Sequence, residues 1–347
     1  MARPGNNPKR RIAAIGRLAK PTEERAKSPY RYIADIAAVI QASEFETGVT
    51  TFIDQVLARL DVEKIPNTNL DKIWTGVIEE RGTPALGRTR KLEALLGREP
   101  DEVDPEILTQ LIADAKELSD ATIEEIAADH GIGGRVITAH ELREIARTNG
   151  HDAAPREAAR IRSGAGLPRH GQVPAWRYGA AAAQALREQE GLGAKQISDE
   201  QLTNMIGTQA SVLDGHKGGA NISFALDENP SHGRIVLRSK WKTGRRFELA
   251  RLLGDRVVNA TSSKLFPATR AHTYRQKMQR SFAAEFLSPF DAVDEMLKSD
   301  YSIENQQEVA EHFDVSPMTI RTLLVNHRRI DREEPDGEFE LAVTEAG

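Results

Sequence analysis

Only one stretch of this 347-residue chain carries a convincing β pattern, and it limits the fold to a mostly helical one with a small sheet. Asn221-Ile-Ser-Phe-Ala-Leu226 and Arg234-Ile-Val-Leu-Arg-Ser239 flank Asn229-Pro-Ser-His-Gly233, the pattern of a hairpin with a turn of several residues. Almost everything else is spaced as helix. The expected class is therefore α+β, predominantly helical.

From Pro29 to Gly150 apolar residues recur at helical intervals: Tyr32-Ile33, Ile36, Ala37 and Ile40, then Phe52-Ile53, Val56-Leu57 and Leu60, then Ile73-Trp74 and Val77-Ile78. Asp104-Pro105 reads as a cap and first-turn proline ahead of the stripe Ile107-Leu108, Leu111-Ile112, Ala115 and Leu118. Glu93 to Asp129 is strongly acidic, as the wet faces of such helices are. His140-Glu141 and Glu144, with His151 beyond, have the outline of a metal-binding helix. The second ligand position is a Glu, so an amphipathic surface is expected there. Gly131-Ile-Gly-Gly134 follows a helix rather than a strand and reads as a helix stop. Gly, Pro and His break the periodicity over 151–173, where a linker is expected. A helix follows from Pro174 to Glu190, and another begins at Ser198. Beyond the hairpin come a helix from Gly244 to about Val258, a loop containing Pro267, and a helix from Tyr274 to Leu287.

Composition excludes several functions. With no cysteine there are no disulfides, thiolate nucleophiles or Cys-based zinc sites. A net charge of −5 is not that of a uniformly basic nucleic-acid binder, though a local basic patch remains compatible with it. No apolar run reaches bilayer-spanning length, so the expectation is a cytoplasmic protein without membrane contact. Residues 1–28 read as a basic flexible arm with Lys9-Arg10-Arg11, Arg17, Lys20, Arg25 and Lys27. Residues 331–347 read as an acidic disordered tail.

A hairpin, a helix, a loop and a second helix are the minimal parts of a compact zinc peptidase. Its chemistry needs two ligands one turn apart, a Glu beside the first as general base, and a third ligand from a later helix. Over residues 174–328 the chain resembles the ImmA/IrrE family of metallopeptidase-like proteins. The resemblance lies in Arg245-Arg246-Phe247-Glu248-Leu249-Ala250 leading into the motif helix, and in Phe282-Ala283-Ala284-Glu285-Phe286-Leu287-Ser288-Pro289 in the later one. It implies a minimal zincin-like domain at 174–298, after a helical domain at 29–150 and the 151–173 linker. It also implies His, Glu and His where this chain has Arg251, Leu252 and Asp255, and a Glu ligand near Gln276 or Met278. Arg has no lone pair for zinc, and Leu takes no proton from water. The resemblance thus implies a degenerate member with no catalytic residues, metal or cofactor. An Arg251–Asp255 salt bridge is expected across the former metal position.

Asn305 to Asn326 reads as a helix-turn-helix-like unit within 299–330. Asp314-Val315 forms the turn, Ser316 the cap and Pro317 the first helical turn, while Val309, Phe313, Ile320 and Leu323 face inward. Thr319, Arg321, Thr322, Asn326 and Arg328 are then the DNA-binding candidates. The basic cluster Arg234, Arg238, Lys240, Lys242, Arg245, Arg246, Arg270, Arg275, Lys277 and Arg280 would support them. The resulting expectation is a non-catalytic pseudopeptidase acting as a regulator or adaptor. Its partner would be a protein or peptide segment in the former substrate groove, and also DNA. The resemblance implies a bacterial transcriptional or mobile-element setting. One alternative is an active zinc metallo-endopeptidase with an unorthodox site from Asp255, His272 and Glu248 or Glu285. The other is a DNA-binding regulator using the C-terminal unit.

Overall fold

The computed structural model describes residues 11–14, 38–133, 136–162, 165–215, 221–259 and 263–331. Most of the expected arm at 1–28 and of the tail at 331–347 lies outside them. In chain order the elements are β1 (Arg11–Ala14), β2 (Ala38–Gln41), α1 (Ala42–Val62), α2 (Asn69–Gly82), α3 (Pro84–Leu95), α4 (Pro105–Leu118), α5 (Asp120–His130) and α6 (Ala139–Asn149). Then come β3 (His151–Ala153), α7 (Ala175–Gln189), α8 (Asp199–Ile206), β4 (Ser223–Asn229), β5 (His232–Val236), α9 (Lys242–Asn259) and β6 (Leu265–Ala268). The last described elements are α10 (Tyr274–Leu287), α11 (Phe290–Leu297), α12 (Ile303–Phe313) and α13 (Pro317–Asn326). The class is α+β, mostly helical with a small antiparallel sheet. Among the described residues no helix is long and apolar enough to cross a membrane.

The chain forms two compact units. The first comprises Met1–Gly87 with Arg169–Pro174, the second Arg88–Pro168 with Ala175–Gly347. In the first, β1 pairs antiparallel with β2, so Ile40 lies in a strand rather than in the expected helix. Trp74 of α2 is buried and donates from Nε1 to Asp54 Oδ1 of α1 at 3.0 Å.

The second unit is built on a four-stranded sheet in the order β3-β5-β4-β6. Side chains alternate across it, as the period of a strand requires. Ile222, Phe224, Leu226, Val236 and Leu265 meet Leu108, Leu111, Ile123, Ile126 and Leu142 from α4, α5 and α6. Ala225, Ile235 and Phe266 face the opposite way, into Ala182, Leu186, Leu249, Leu253, Phe282 and Phe286 from α7, α9 and α10. Burial on both faces explains why the hairpin strands read as nearly continuous apolar runs.

This two-sided burial corrects the expected organisation. Helices of the anticipated 29–150 domain cover one face of the sheet, and the anticipated 151–173 linker begins with strand β3. Pro267, expected in a loop, sits in β6. That strand is at the sheet edge, where a missing N–H breaks no ladder bond. The hairpin turn is tighter than expected, because Asn229 Oδ1 accepts the N–H groups of both Ser231 and His232 and draws the strands closed.

Candidate functional site

Helix α9 runs between the sheet and α10 with Leu249, Ala250, Leu252 and Leu253 fully buried. The motif positions therefore lie inside the protein. Asp255 is 0% exposed and receives a two-pronged ion pair from Arg275 of α10, Nε to Oδ1 at 2.8 Å and Nη2 to Oδ2 at 2.6 Å. Asn259 Nδ2 adds a third donor at 2.8 Å. Arg251 turns the other way. Its Nη2 donates to Gln276 Oε1 and to the Thr269 carbonyl, both at 2.6 Å, and more distantly to Gln279 Oε1 at 3.4 Å. The expected Arg251–Asp255 pair thus gives way to two separate arrangements. A closer acceptor set at the end of β6 takes Arg251, and a two-pronged guanidinium from α10 takes Asp255.

Of the two candidates for the third ligand position, Gln276 meets Arg251, whereas Met278 is buried in the core. Gln276 and Gln279 are fully buried. Both donate from Nε2 to the Pro267 carbonyl, at 3.1 and 3.0 Å, and Gln276 Oε1 also accepts the Thr269 N–H at 2.9 Å. Thr122 Oγ1 donates to the Leu265 carbonyl at 3.1 Å. Side chains therefore occupy these outer backbone groups of β6, which protects an edge that would otherwise recruit another strand.

Burial is the main cause that pushes the Arg251 guanidinium down to about 9, with the neighbouring Arg280 charge next. Its Nε is buried without a hydrogen-bond partner. Burial likewise raises the Glu125 carboxyl of α5, which accepts from Thr273 Oγ1 at 2.7 Å. A carboxyl held above its ordinary value when folded binds its proton more tightly than in the unfolded chain. The fold consequently loses stability as pH climbs from the unfolded value through the folded one, and that loss persists at neutral pH. Glu125→Gln keeps an acceptor for Thr273 and removes the ionisation. It should raise the urea midpoint at pH 7, with the gain shrinking towards acid pH. An equal effect at both pH values would show that the charge is not the cause.

The side chains expected to form an unorthodox metal site do not converge. Glu248 Oε2 accepts the N–H groups of Arg238 and Ser239, both at 3.0 Å. Glu285 Oε1 accepts from Gln184 Nε2 at 3.0 Å, and His272 is exposed. Among the described residues no group of three or more His, Asp or Glu is placed to hold a metal ion. Glu141 serves the helix instead: with Thr138 it forms a capping box at the start of α6.

The C-terminal helices are fastened to this core. Fully buried Arg246 donates to the Ile197 carbonyl at 2.7 Å and the Asp314 carbonyl at 3.2 Å, and it also pairs with Asp199. Phe313, Ile320, Leu323 and Leu324 join the main core. Ser316 caps α13 as expected, yet Thr319 is buried, its hydroxyl 3.0 Å from that of Ser316, and is withdrawn from the surface. Thr322 and Arg328 are exposed, while Arg321 and Asn326 are half-buried. The anticipated basic cluster is divided: Arg238, Lys240, Lys242, Arg270 and Lys277 are exposed, Arg234, Arg275 and Arg280 are half-buried, and Arg245 and Arg246 are buried. Buried Arg245 donates to the Val212 carbonyl at 2.8 Å and the Ser239 carbonyl at 3.0 Å, Arg275 is taken by Asp255, and Arg234 pairs with Asp152 at 2.8 Å.

Arg275, Arg280, Gln279 and Glu125 belong to this site and were not singled out as such from the sequence. One signal was available: Gln276 and Gln279 are three residues apart on one helix, so they share a face. No family model matches the chain, and comparison with curated proteins and with solved structures finds no match.

Proposed function

We propose that the chain is a non-catalytic pseudopeptidase of ImmA/IrrE-like, zincin-like architecture that acts by binding, as a regulator or adaptor. One observation carries this. Arg251, at the first ligand position implied by the resemblance, and Gln276, one of the two candidates for the third, meet at 2.6 Å beside the end of β6. The helices and hairpin that the resemblance implies support the reading, with Arg251 and Gln276 bonded to each other and Asp255 held separately by Arg275. With the outer groups of β6 occupied by side chains, a partner segment would dock through side-chain contacts rather than by adding a strand.

Metal content and thermal unfolding before and after chelation test the proposal. The expected result is no stoichiometric zinc, manganese or iron, and a midpoint unmoved by chelator. One tightly held ion per chain, with a midpoint that falls on its removal, would favour the metallo-endopeptidase.

A role on DNA draws its support from α12 and α13, joined by a tight turn with Thr322 and Arg328 exposed. It predicts duplex binding that weakens with salt, and a log–log slope reduced by about 1 in Arg328→Ala. Salt-insensitive binding, or none, would leave the adaptor role alone.

A further inference from the structure

Among the described residues, no carboxylate is hydrogen-bonded to Arg251 or Arg280, which lie beside one another. Arg280 donates from Nη2 to the carbonyls of Ala271 at 2.7 Å, Arg270 at 2.8 Å and Thr269 at 3.4 Å. Arg251 donates to that same Thr269 carbonyl at 2.6 Å, so the two guanidiniums are less than two hydrogen-bond lengths apart. Every acceptor they use is a neutral oxygen. The nearby carboxylates hydrogen-bond elsewhere, Glu248 to the Arg238 and Ser239 N–H groups, Asp255 to Arg275, Asp129 to the Arg270 N–H and Glu125 to Thr273, and act on the two guanidiniums only through space. Arg238 adds a third positive charge close to Arg251.

Burying a guanidinium without a counter-charge is costly, and its planar fork is shaped for two oxygens of one anion. Arg251 is 7% exposed with an unpartnered Nε, whereas Arg280 is half-buried at the rim. Among the described residues, Nη1 of Arg251 and both Nε and Nη1 of Arg280 make no hydrogen bond. We propose that Arg251 and Arg280 together bind a small oxyanion, a carboxylate or phosphate group, entering from the Arg280 side. Among the described residues no carboxylate is hydrogen-bonded to either guanidinium, and the oxyanion supplies that direct partner. This concerns the same corner as the pseudopeptidase proposal but rests on guanidinium geometry alone. Metal analysis tests the one and anion titration the other.

The experiment is calorimetric titration of the full chain at constant ionic strength with inorganic phosphate, and with N-acetyl-dialanine as free acid or as amide. Saturable binding of phosphate or of the acid is expected. Phosphate alone points to a free anion or phosphate ester. The acid without the amide points to a chain-terminal carboxylate. Arg280→Gln, at the rim of the fold, should weaken binding by about ten- to a hundredfold. Arg280→Lys, which keeps the charge but not the fork, should fall between it and the natural chain. Lys277→Gln, exposed on the same helix with the same change in net charge, should bind normally. Absence of saturable binding by either anion would overturn the proposal. So would equal loss in Arg280→Gln and Lys277→Gln, which would indicate diffuse charge attraction.

Discussion

Asp255→Ala should destabilise the protein by about 3–5 kcal/mol, the cost of leaving one member of a buried ion pair alone. Asp255 is fully buried, and the Arg275 side chain that grips it is 12% exposed. Removing the carboxylate strands that guanidinium against α9 and frees Asn259 Nδ2 from its acceptor. Single domains are stable by only about 5–15 kcal/mol, so this substitution alone should move the urea midpoint a long way. Removing both charges together, as in Asp255→Leu with Arg275→Met, should recover much of the loss, because two apolar side chains replace a pair that had to be desolvated. A single-variant loss under about 1 kcal/mol would mean that the pair is not the fastening it is taken for. The same substitution also distinguishes the functional alternatives. If Asp255 held a metal, chelation of the natural chain would reproduce the loss; if Asp255 serves Arg275, chelator leaves the natural chain unchanged.

What could be read from the letters and what could not divide along a physical line. Features carried by neighbouring residues were legible: the α10 bounds, the hairpin, the Asp104-Pro105 start of α4, and the caps at Ser198 and Ser316. Features depending on a distant partner were not. β3 and β6 are three and four residues long, too short for a periodic signal, and exist because β5 and β4 supply their hydrogen-bond partners. Spacing of four permits an Arg251–Asp255 pair. It does not reveal that Arg275 and Gln276, adjacent on another helix, offer each residue a better partner. The arginines are the clearest case. Read as letters, Arg245, Arg246 and Arg280 form a basic patch. In the fold their partners are largely the backbone carbonyls of Val212, Ser239, Ile197, Asp314, Arg270 and Ala271, acceptors that every sequence has and no letter marks. A charge count therefore takes buried Arg245 and Arg246 for surface and misses the struts that join α9 to its neighbours.

Gly254 and Phe282 show a motif residue whose purpose becomes visible only in three dimensions, and they carry the second large effect. A Cβ at Gly254 would lie 2.5 Å from Phe282 Cγ and Cδ1 and 3.0 Å from its Cβ. The glycine thus admits the root of the ring rather than its tip; a rotamer change of Phe282 would move Cγ and Cδ1 but leave its Cβ 3.0 Å away. Phe282 is itself fully buried, stacked on Phe286 with centroids 5.3 Å apart. Phe282→Ala should cost about 3–5 kcal/mol through lost burial and the void left behind. Gly254→Ala should cost about 1–3 kcal/mol by overpacking, even though alanine is the better helix former by about 1 kcal/mol. The diagnostic variant is the double one. Once the ring is gone, the two 2.5 Å contacts vanish and the alanine methyl meets only the Cβ of residue 282. Gly254→Ala should then cost much less in the Phe282→Ala background than in the natural chain, because only the 3.0 Å contact to the remaining Cβ is left. Urea midpoints of the four proteins measure this directly. If instead the two losses add to within about 0.5 kcal/mol, the residues act independently and the close approach of α9 to α10 does not depend on that glycine.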